Sequence, residues 1–256
     1  MSTGAVTSYI DVAQITLYVF WIFFALLVWH LRQEDRREGY PLEADGKGMT
    51  RHSVLFIPDA KTFRLPHGGT KSVPDGIADT RPVKASRRHN YPGTPLEPTG
   101  NPMTDGVGAA AYAERADEPD MTFDNRVKIV PMSSDAHFSV ASEDVDPRGK
   151  NVIGADGKIA GKVSEIWVDR AEQIIRYYEM KLEGSPRARS RLVPSTACRI
   201  DAKGNLLVNS ILASQFADVP TTSAADQVTL LEEDKIMGYY AGGRLYATPS
   251  RQEPLL

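Results

Sequence analysis

The sequence predicts a single N-terminal transmembrane α-helix followed by a mainly-β domain, a small antiparallel barrel or sandwich, with a C-terminal helix. Three observations carry that reading: one long apolar run, a proline-dense middle, and a series of short alternating strands spaced by turns. Composition sets the frame. Over 256 residues the chain is 41% hydrophobic, 25% charged and 8% aromatic, which excludes disorder throughout. The net charge of -3 and pI near 6.0 argue against a nucleic-acid binder that relies on global charge. A mean hydropathy of -0.32 excludes a polytopic membrane protein but leaves room for one span. The lone Cys198 excludes an internal disulfide and a cysteine-built zinc cage.

Residues 12–31 read VAQITLYVFWIFFALLVWHL, without a Lys, Arg, Asp or Glu. A run of roughly 20 residues makes a helix of about 30 Å, the thickness of a bilayer's hydrocarbon core. Tyr18, Trp21 and Trp29 are the amphipathic aromatics expected toward the interfaces. A buried core helix is the plainer alternative, but twenty residues apolar on every face is long for one. A secretory signal would need a basic start and a small-residue cleavage site. Residues 1–31 contain no Lys or Arg, and His30-Leu31-Arg32-Gln33 follows the apolar run, so the segment is expected to stay. Arg32, Arg36 and Arg37 come next, among Glu34, Asp35 and Glu38. The positive-inside rule then places residues 1–11 on the periplasmic side and the bulk of the chain in the cytoplasm.

From residue 32 to about 150 turn formers dominate, with twelve of the 17 prolines between Pro41 and Pro147. Such density forbids long helices and central strands. Apolar groups nonetheless recur, as in Val54-Leu55-Phe56-Ile57, Phe63-Arg64-Leu65 and Val127-Lys128-Ile129-Val130. The expectation is extended chain lying across partner subunits, since it cannot bury much on itself.

The pattern changes over 151–256. Turns at Asn151–Gly157 and Asp201–Asn205 separate apolar stretches. Tyr178, Met180 and Leu182 alternate with Glu179, Lys181 and Glu183, the period of a half-buried strand. Val163–Val168, Arg191–Val193, Ala197–Ile200 and Leu206–Val208 are further strands. A helix is expected from a Ser223 cap, with Asp226 three residues on, through Val228–Tyr240 to Gly242-Gly243.

Motifs for catalysis are missing. No G-x-S-x-G elbow is present, and Cys198 reads as packing rather than nucleophile. Histidines 30, 52, 67, 89 and 137 show no metal-ligand spacing. Gly106-Val107-Gly108 and Gly68-Gly69 lack the context of a phosphate loop. Arg187, Arg189 and Arg191 are expected to alternate on one strand, and Arg87-Arg88 sit among prolines; both read as solvated or partner-facing patches in preference to a nucleic-acid surface. Carboxylates remain. Asp169-Arg170-Ala171-Glu172 joins two strands with Arg176 four residues on, and Glu232-Glu233-Asp234-Lys235 lies on the helix. Surface charge is the plain reading. Covered by a partner, such a group would rise in pKa and could relay protons near neutral pH.

Several stretches resemble the H subunit of the purple-bacterial photosynthetic reaction centre. They are Asp11-Val-Ala-Gln14 with Phe20-Trp-Ile-Phe23, Arg32 through Glu43, Pro98-Thr-Gly-Asn-Pro-Met103 and Asp105-Gly-Val-Gly108. Lys128-Ile-Val-Pro-Met132, Ala160-Gly-Lys-Val163 with Ile166-Trp-Val-Asp169, and Glu232-Glu-Asp-Lys-Ile236 with Tyr240-Ala-Gly-Gly243 continue the series in order.

The resemblance implies a span beside the L and M subunits and a cytoplasmic PRC-type barrel capping them in the photosynthetic, intracytoplasmic inner membrane. It implies a non-catalytic subunit. Bacteriochlorophyll, bacteriopheophytin, quinones and non-haem iron would sit on L and M, within a core light-harvesting ring, with a cytochrome subunit a possible further partner. A doubly reduced quinone buried beneath the cap needs two protons that an apolar interior does not offer. Glu172 matches the family position near the secondary quinone, and Asp169 and Arg176 match its charged neighbours. Relatives place histidines just before Lys-Ile-x-Pro-Met; here the stretch is Phe123-Asp124-Asn125-Arg126, leaving Asp124 as the substitute. Arg32, Arg36, Arg37 and Tyr40 stand where phospholipid headgroups lie, each basic residue contributing about 1 kcal/mol. A membrane-tethered adaptor barrel and a membrane-anchored enzyme are the rival readings.

Overall fold

An aspartate opens the first helix. In the computed structural model Asp11 Oδ1 accepts the Gln14 amide at 2.7 Å, and helix α1 runs Val12–Glu34. The described residues are 6–7, 11–40, 43–44, 48–49, 57–77, 79–91, 93–184 and 188–252. Val54–Phe56, His52 and Arg187 lie outside them. At 23 residues α1 is about 34 Å long, three residues longer than the apolar run, and it is apolar enough to cross a membrane. Polar side chains within it find partners in the same helix: Thr16 Oγ1 donates to the Val12 backbone carbonyl at 2.8 Å, and Gln14 Nε2 to Tyr18 OH at 2.8 Å.

The chain divides into two compact units, residues 1–81 with 91–93, and residues 82–90 with 94–256. In the first, α1 is followed by short strands β1 (Glu43–Ala44) and β2 (Gly48–Met49), then by a hairpin of β3 (Lys61–Arg64) and β4 (Thr70–Val73). Glu34 ties the helix end to that hairpin, accepting from Arg37 Nε and Lys61 Nζ at 2.8 Å each.

The second unit opens with a hairpin of β5 (Ala85–Arg87) and β6 (Leu96–Pro98) and a one-turn helix α2 (Pro102–Asp105). Its sheet contains β7 (Ile129–Pro131), β8 (Asn151–Ile153), β9 (Ile159–Asp169), β10 (Ile174–Leu182), β11 (Arg191–Pro194), β12 (Cys198–Ile200) and β13 (Leu206–Val208). Strand order is β11-β10-β9-β8-β13-β12, with β7 on β9. Every pair is antiparallel except β8 with β13, which the long connection through β9–β12 returns in parallel. Among the described residues no pairing joins β11 to β12, so the expected barrel is an open sheet.

The division does not fall at residue 150. The stretch 94–150, read from its prolines as a strap over other subunits, contributes Met103, Ile129, Val130 and Met132 to the core of its own chain. Prolines interrupt helices and central strands but leave short β7 able to pair. That core centres on Ile166, Trp167, Met180, Leu206, Phe216 and Ile236, each no more than 1% exposed.

The C-terminal helix α3 runs Leu230–Tyr246 and starts seven residues after Ser223. Its cap is Thr229, in a reciprocal box with Glu232: the Glu232 amide donates to Thr229 Oγ1 at 3.1 Å and the Thr229 amide to Glu232 Oε2 at 3.0 Å. The Ser223 amide bonds Glu232 Oε1 instead. Nor does α3 end at Gly242-Gly243. Both glycines are buried inside it, where they admit neighbouring backbone: a Cβ on Gly242 would collide with Ala110, and one on Gly243 with Ile211 and the Ser210 carbonyl.

Gly242→Ala inverts the usual helix rule. Alanine stabilises an exposed helix position by about 1 kcal/mol over glycine. Here we expect a loss of about 1–3 kcal/mol from overpacking on Ala110, measured as a lower thermal midpoint of the full-length chain in detergent.

Candidate functional site

One strand bulge, one turn and one strand pairing assemble the ionisable centre. β9 ends at Asp169, whose Oδ1 accepts the backbone amides of Ala171 and Glu172 at 2.9 and 3.0 Å, an Asx turn that reverses the chain. Gln173 completes the reversal at φ 57, donating to the Asp169 carbonyl at 2.8 Å. On β10, Ile175 pairs with Val168 and Tyr177 with Trp167, leaving Arg176 as a bulge. The extra residue resets the alternation, so Tyr177 and Tyr178 are both buried, and Arg176 Nε reaches Asp169 Oδ2 at 3.8 Å. Pairing of Ile129 with Asp169 brings Lys128 alongside.

Asp169 is completely buried. Its Oδ2 has no hydrogen-bond partner and is held by charge, with Lys128 Nζ at 3.7 Å and Arg176 Nε at 3.8 Å. Lys128 also faces Glu172 Oε1 at 3.6 Å and Asp120 Oδ2 at 3.4 Å. Desolvation pushes the Lys128 ammonium down, but the carboxylates of Asp169, Asp120 and Glu172 outweigh it and its pKa lies above the ordinary value. Pairs of this kind attract by about 4 kcal/mol at 4 Å in a protein-like dielectric, before several kcal/mol of desolvation are subtracted.

A second buried group adjoins the first. Tyr177, next to the bulge, donates its hydroxyl to Glu233 Oε1 at 2.7 Å. Burial raises the Glu233 pKa, opposed by the Tyr177 hydrogen bond and by Arg176 and Arg115, and reinforced by Asp120. Burial and the Glu233 charge together push the Tyr177 phenol well above its ordinary value.

The structure thus brings Asp169, Glu172 and Arg176 together, with the Glu172 side chain about half exposed. It places Asp124 elsewhere. That residue is exposed at the tip of the 121–127 turn and pairs with Arg126 at 2.7 Å. Its carboxyl lies below the ordinary range, through hydrogen bonds to its own backbone and the Arg126 charge. The two stems of that turn lead to Asp120 and Lys128. Sequence reasoning passed over Lys128 as part of an apolar stretch, although a lone cation ahead of Ile129-Val130 opposite an Asp-x-x-Glu turn was the available signal.

At the other unit, Arg37 is engaged internally. It forms a bidentate pair with Glu34 at 2.8 and 2.9 Å and donates to the carbonyls of Asp59 and Val73 at 2.8 and 3.1 Å. Arg36 stacks on the Tyr40 ring, 5.4 Å from its centroid, and Arg32 is exposed, 3.9 Å from Asp35.

An apolar helix of membrane length and a separate β-sheet unit with a buried ionisable centre describe a membrane-anchored subunit. Residues 4–134 match the family described as photosynthetic reaction centre, H-chain N-terminal region, and residues 140–211 match the PRC-barrel domain. With more than half of its length matched, the chain belongs to the reaction-centre H-chain family.

Glu233 generates a pH prediction. The unfolded chain releases this proton near the ordinary value of 4.5, while the folded protein retains it to higher pH. Its contribution to stability is therefore full below 4.5 and lost as pH rises from there through the folded value. Glu233→Gln, which keeps an acceptor for Tyr177, should show a stability difference from the parent that grows in its favour over that window, measured by urea unfolding at stepped pH. A difference that does not vary with pH would exclude this role for burial.

Proposed function

We propose that this chain is a structural, non-catalytic subunit that caps the L and M subunits of a photosynthetic reaction centre on the cytoplasmic side. Its N-terminus would face the periplasm, and the sheet unit would help conduct protons to the secondary quinone. The pigments, quinones and non-haem iron would belong to L and M, with a light-harvesting ring around the complex. Membership of the H-chain family and the anchoring helix support this assembly.

The observation that carries the proton role is the fully buried Asp169, facing Lys128 and Arg176 and sharing Lys128 with half-exposed Glu172. A proton arriving at Glu172 neutralises one of three carboxylates around a single ammonium. Because Glu172 and Asp169 share the Lys128 ammonium, the protonation of one is coupled to the field at the other, and that coupling is what a relay through this centre would use. Asp124, 60% exposed and paired with Arg126, would stand at the entry in place of a histidine, and Glu172 would stand nearer the secondary quinone.

Complexes isolated from native membranes through this chain are expected to carry bacteriochlorophyll bands that bleach reversibly in light. In those complexes Glu172→Gln should slow flash-induced proton uptake and the second electron transfer to the quinone by about tenfold or more. Unchanged rates across the neutral range would assign Glu172 to structure alone. A colourless product under gentle extraction would overturn the assembly itself.

At the membrane face, Arg32 and Arg36 with Tyr40 would hold an anionic phospholipid headgroup, Arg37 shaping the site through Glu34. Arg36→Ala should reduce phospholipid retained by the purified complex, read by phosphorus assay. Full retention would leave these arginines as topology determinants.

A further inference from the structure

Away from the Asp169 centre, positive charge collects without a counter-charge. Arg199 on β12 and Arg244 in the last turn of α3 line one recess of about 420 Å³ with Thr196, Asn209 and Ser210. Among the described residues neither guanidinium has an ion pair or a hydrogen bond. A third arginine adjoins them. Arg251 donates to the carbonyls of Ser210, Gly243 and Asn209 at 2.6, 2.7 and 2.9 Å, so it fixes the backbone beside the recess and adds charge without a carboxylate.

Ser210 supplies a separate observation. It is 4% exposed, and its Oγ has no hydrogen-bond partner among the described residues. A buried hydroxyl left unpaired costs free energy, and such groups call for an explanation. Position is tightly set here, because glycine at 243 lets α3 rest against the Ser210 carbonyl and Ile211.

A plainer account exists for one arginine only. Arg244 at the end of α3 complements the negative pole of the helix. That does not explain Arg199, which comes from another element, or the unpaired hydroxyl. The carboxylate nearest Arg199 in sequence, Asp201, is held on its own turn by the amides of Lys203 and Asn205 and by Asn205 Nδ2.

We propose that this recess binds a phosphate group, with Arg199 and Arg244 as charged forks and Thr196 and Asn209 as neutral partners, the Ser210 backbone forming its floor. Guanidinium geometry matches tetrahedral oxyanions through paired N–H donors, and a hydroxyl can donate to a third oxygen. The phosphate can come from a soluble ion or ester or from a lipid headgroup; the recognising chemistry is the same.

The test uses the full chain in its purified complex, at constant ionic strength. Isothermal titration is carried out with inorganic phosphate and, separately, with glycerophosphoglycerol, the soluble headgroup of phosphatidylglycerol. At least one probe should bind saturably. Arg199→Gln and Arg244→Gln should each weaken it about tenfold, as expected for a lost charge-assisted hydrogen bond. Both side chains are exposed, so these variants retain the fold. Arg148→Gln, whose guanidinium is already paired with Asp146, should leave binding unchanged. Tighter phosphate binding identifies a soluble source, and tighter headgroup binding a lipid. Heats that do not saturate with either probe, or affinities equal in the parent and both recess variants, would overturn the site.

Discussion

A carboxylate removed from water at the end of a strand governs the architecture of the sheet unit. Asp169 meets its needs on two sides. Oδ1 takes two amides of its own turn, and Oδ2 is balanced only by cations. Leaving such a charge uncompensated would cost several kcal/mol. The features that compensate it recur through the fold: β7 pairs on β9 at this residue, the bulge re-aims Arg176, and the 121–127 turn returns Lys128 beside Asp120. The central strand therefore carries the hydrophobic core along most of its length and an electrostatic centre at its end. A change at Asp169 would disturb the folding of this end of the sheet, whereas half-exposed Glu172 can be changed without it, so Glu172 is where the proposed proton role is tested.

The helix α3 connects that centre to the packing of the rest. Its first turn is fixed by Thr229, which also donates to Asp117 Oδ1 at 2.7 Å, while the amides of Leu230 and Leu231 bond the carbonyls of Glu118 and Ala116. This arrangement presses the proline-rich stretch against the helix and sets Glu233 against Tyr177. Farther along, glycines replace side chains to let Ala110 and Ser210 approach. A polar start and a small-residue end thus hold one helix against two different surfaces.

Much of this was visible in residue patterns where a local rule decides the outcome. The apolar run at 12–31, the alternation about Met180, and the turns at 154–157 and 201–205 all follow from short-range chemistry, and each element formed near its expected place. The misreadings came from non-local choices. Ser223 and Thr229 are both competent caps, and only the reach of Glu232 back to Thr229 selects the second. Prolines around 94–150 correctly excluded long elements but said nothing about which chain the apolar residues between them would cover. Asp169, Glu172 and Arg176 could be grouped because one hairpin joins them. Lys128 lies some forty residues away and joins them only through pairing of β7 with β9.

The two charged sites follow opposite logic. Around Asp169, carboxylates and cations interlock, so the centre can respond to a single proton by redistributing an existing balance. Around Ser210, three guanidiniums face no carboxylate among the described residues, an arrangement open to an anion from solution. A net charge of -3 conceals both. It averages a surplus of acid elsewhere over a local surplus of base, and only the topology that folds β12, β13 and α3 together brings the latter into view. The proposed phosphate site lies in this recess and not beside Asp169 because the Lys128 and Arg176 cations already face carboxylates, whereas, among the described residues, Arg199 and Arg244 do not.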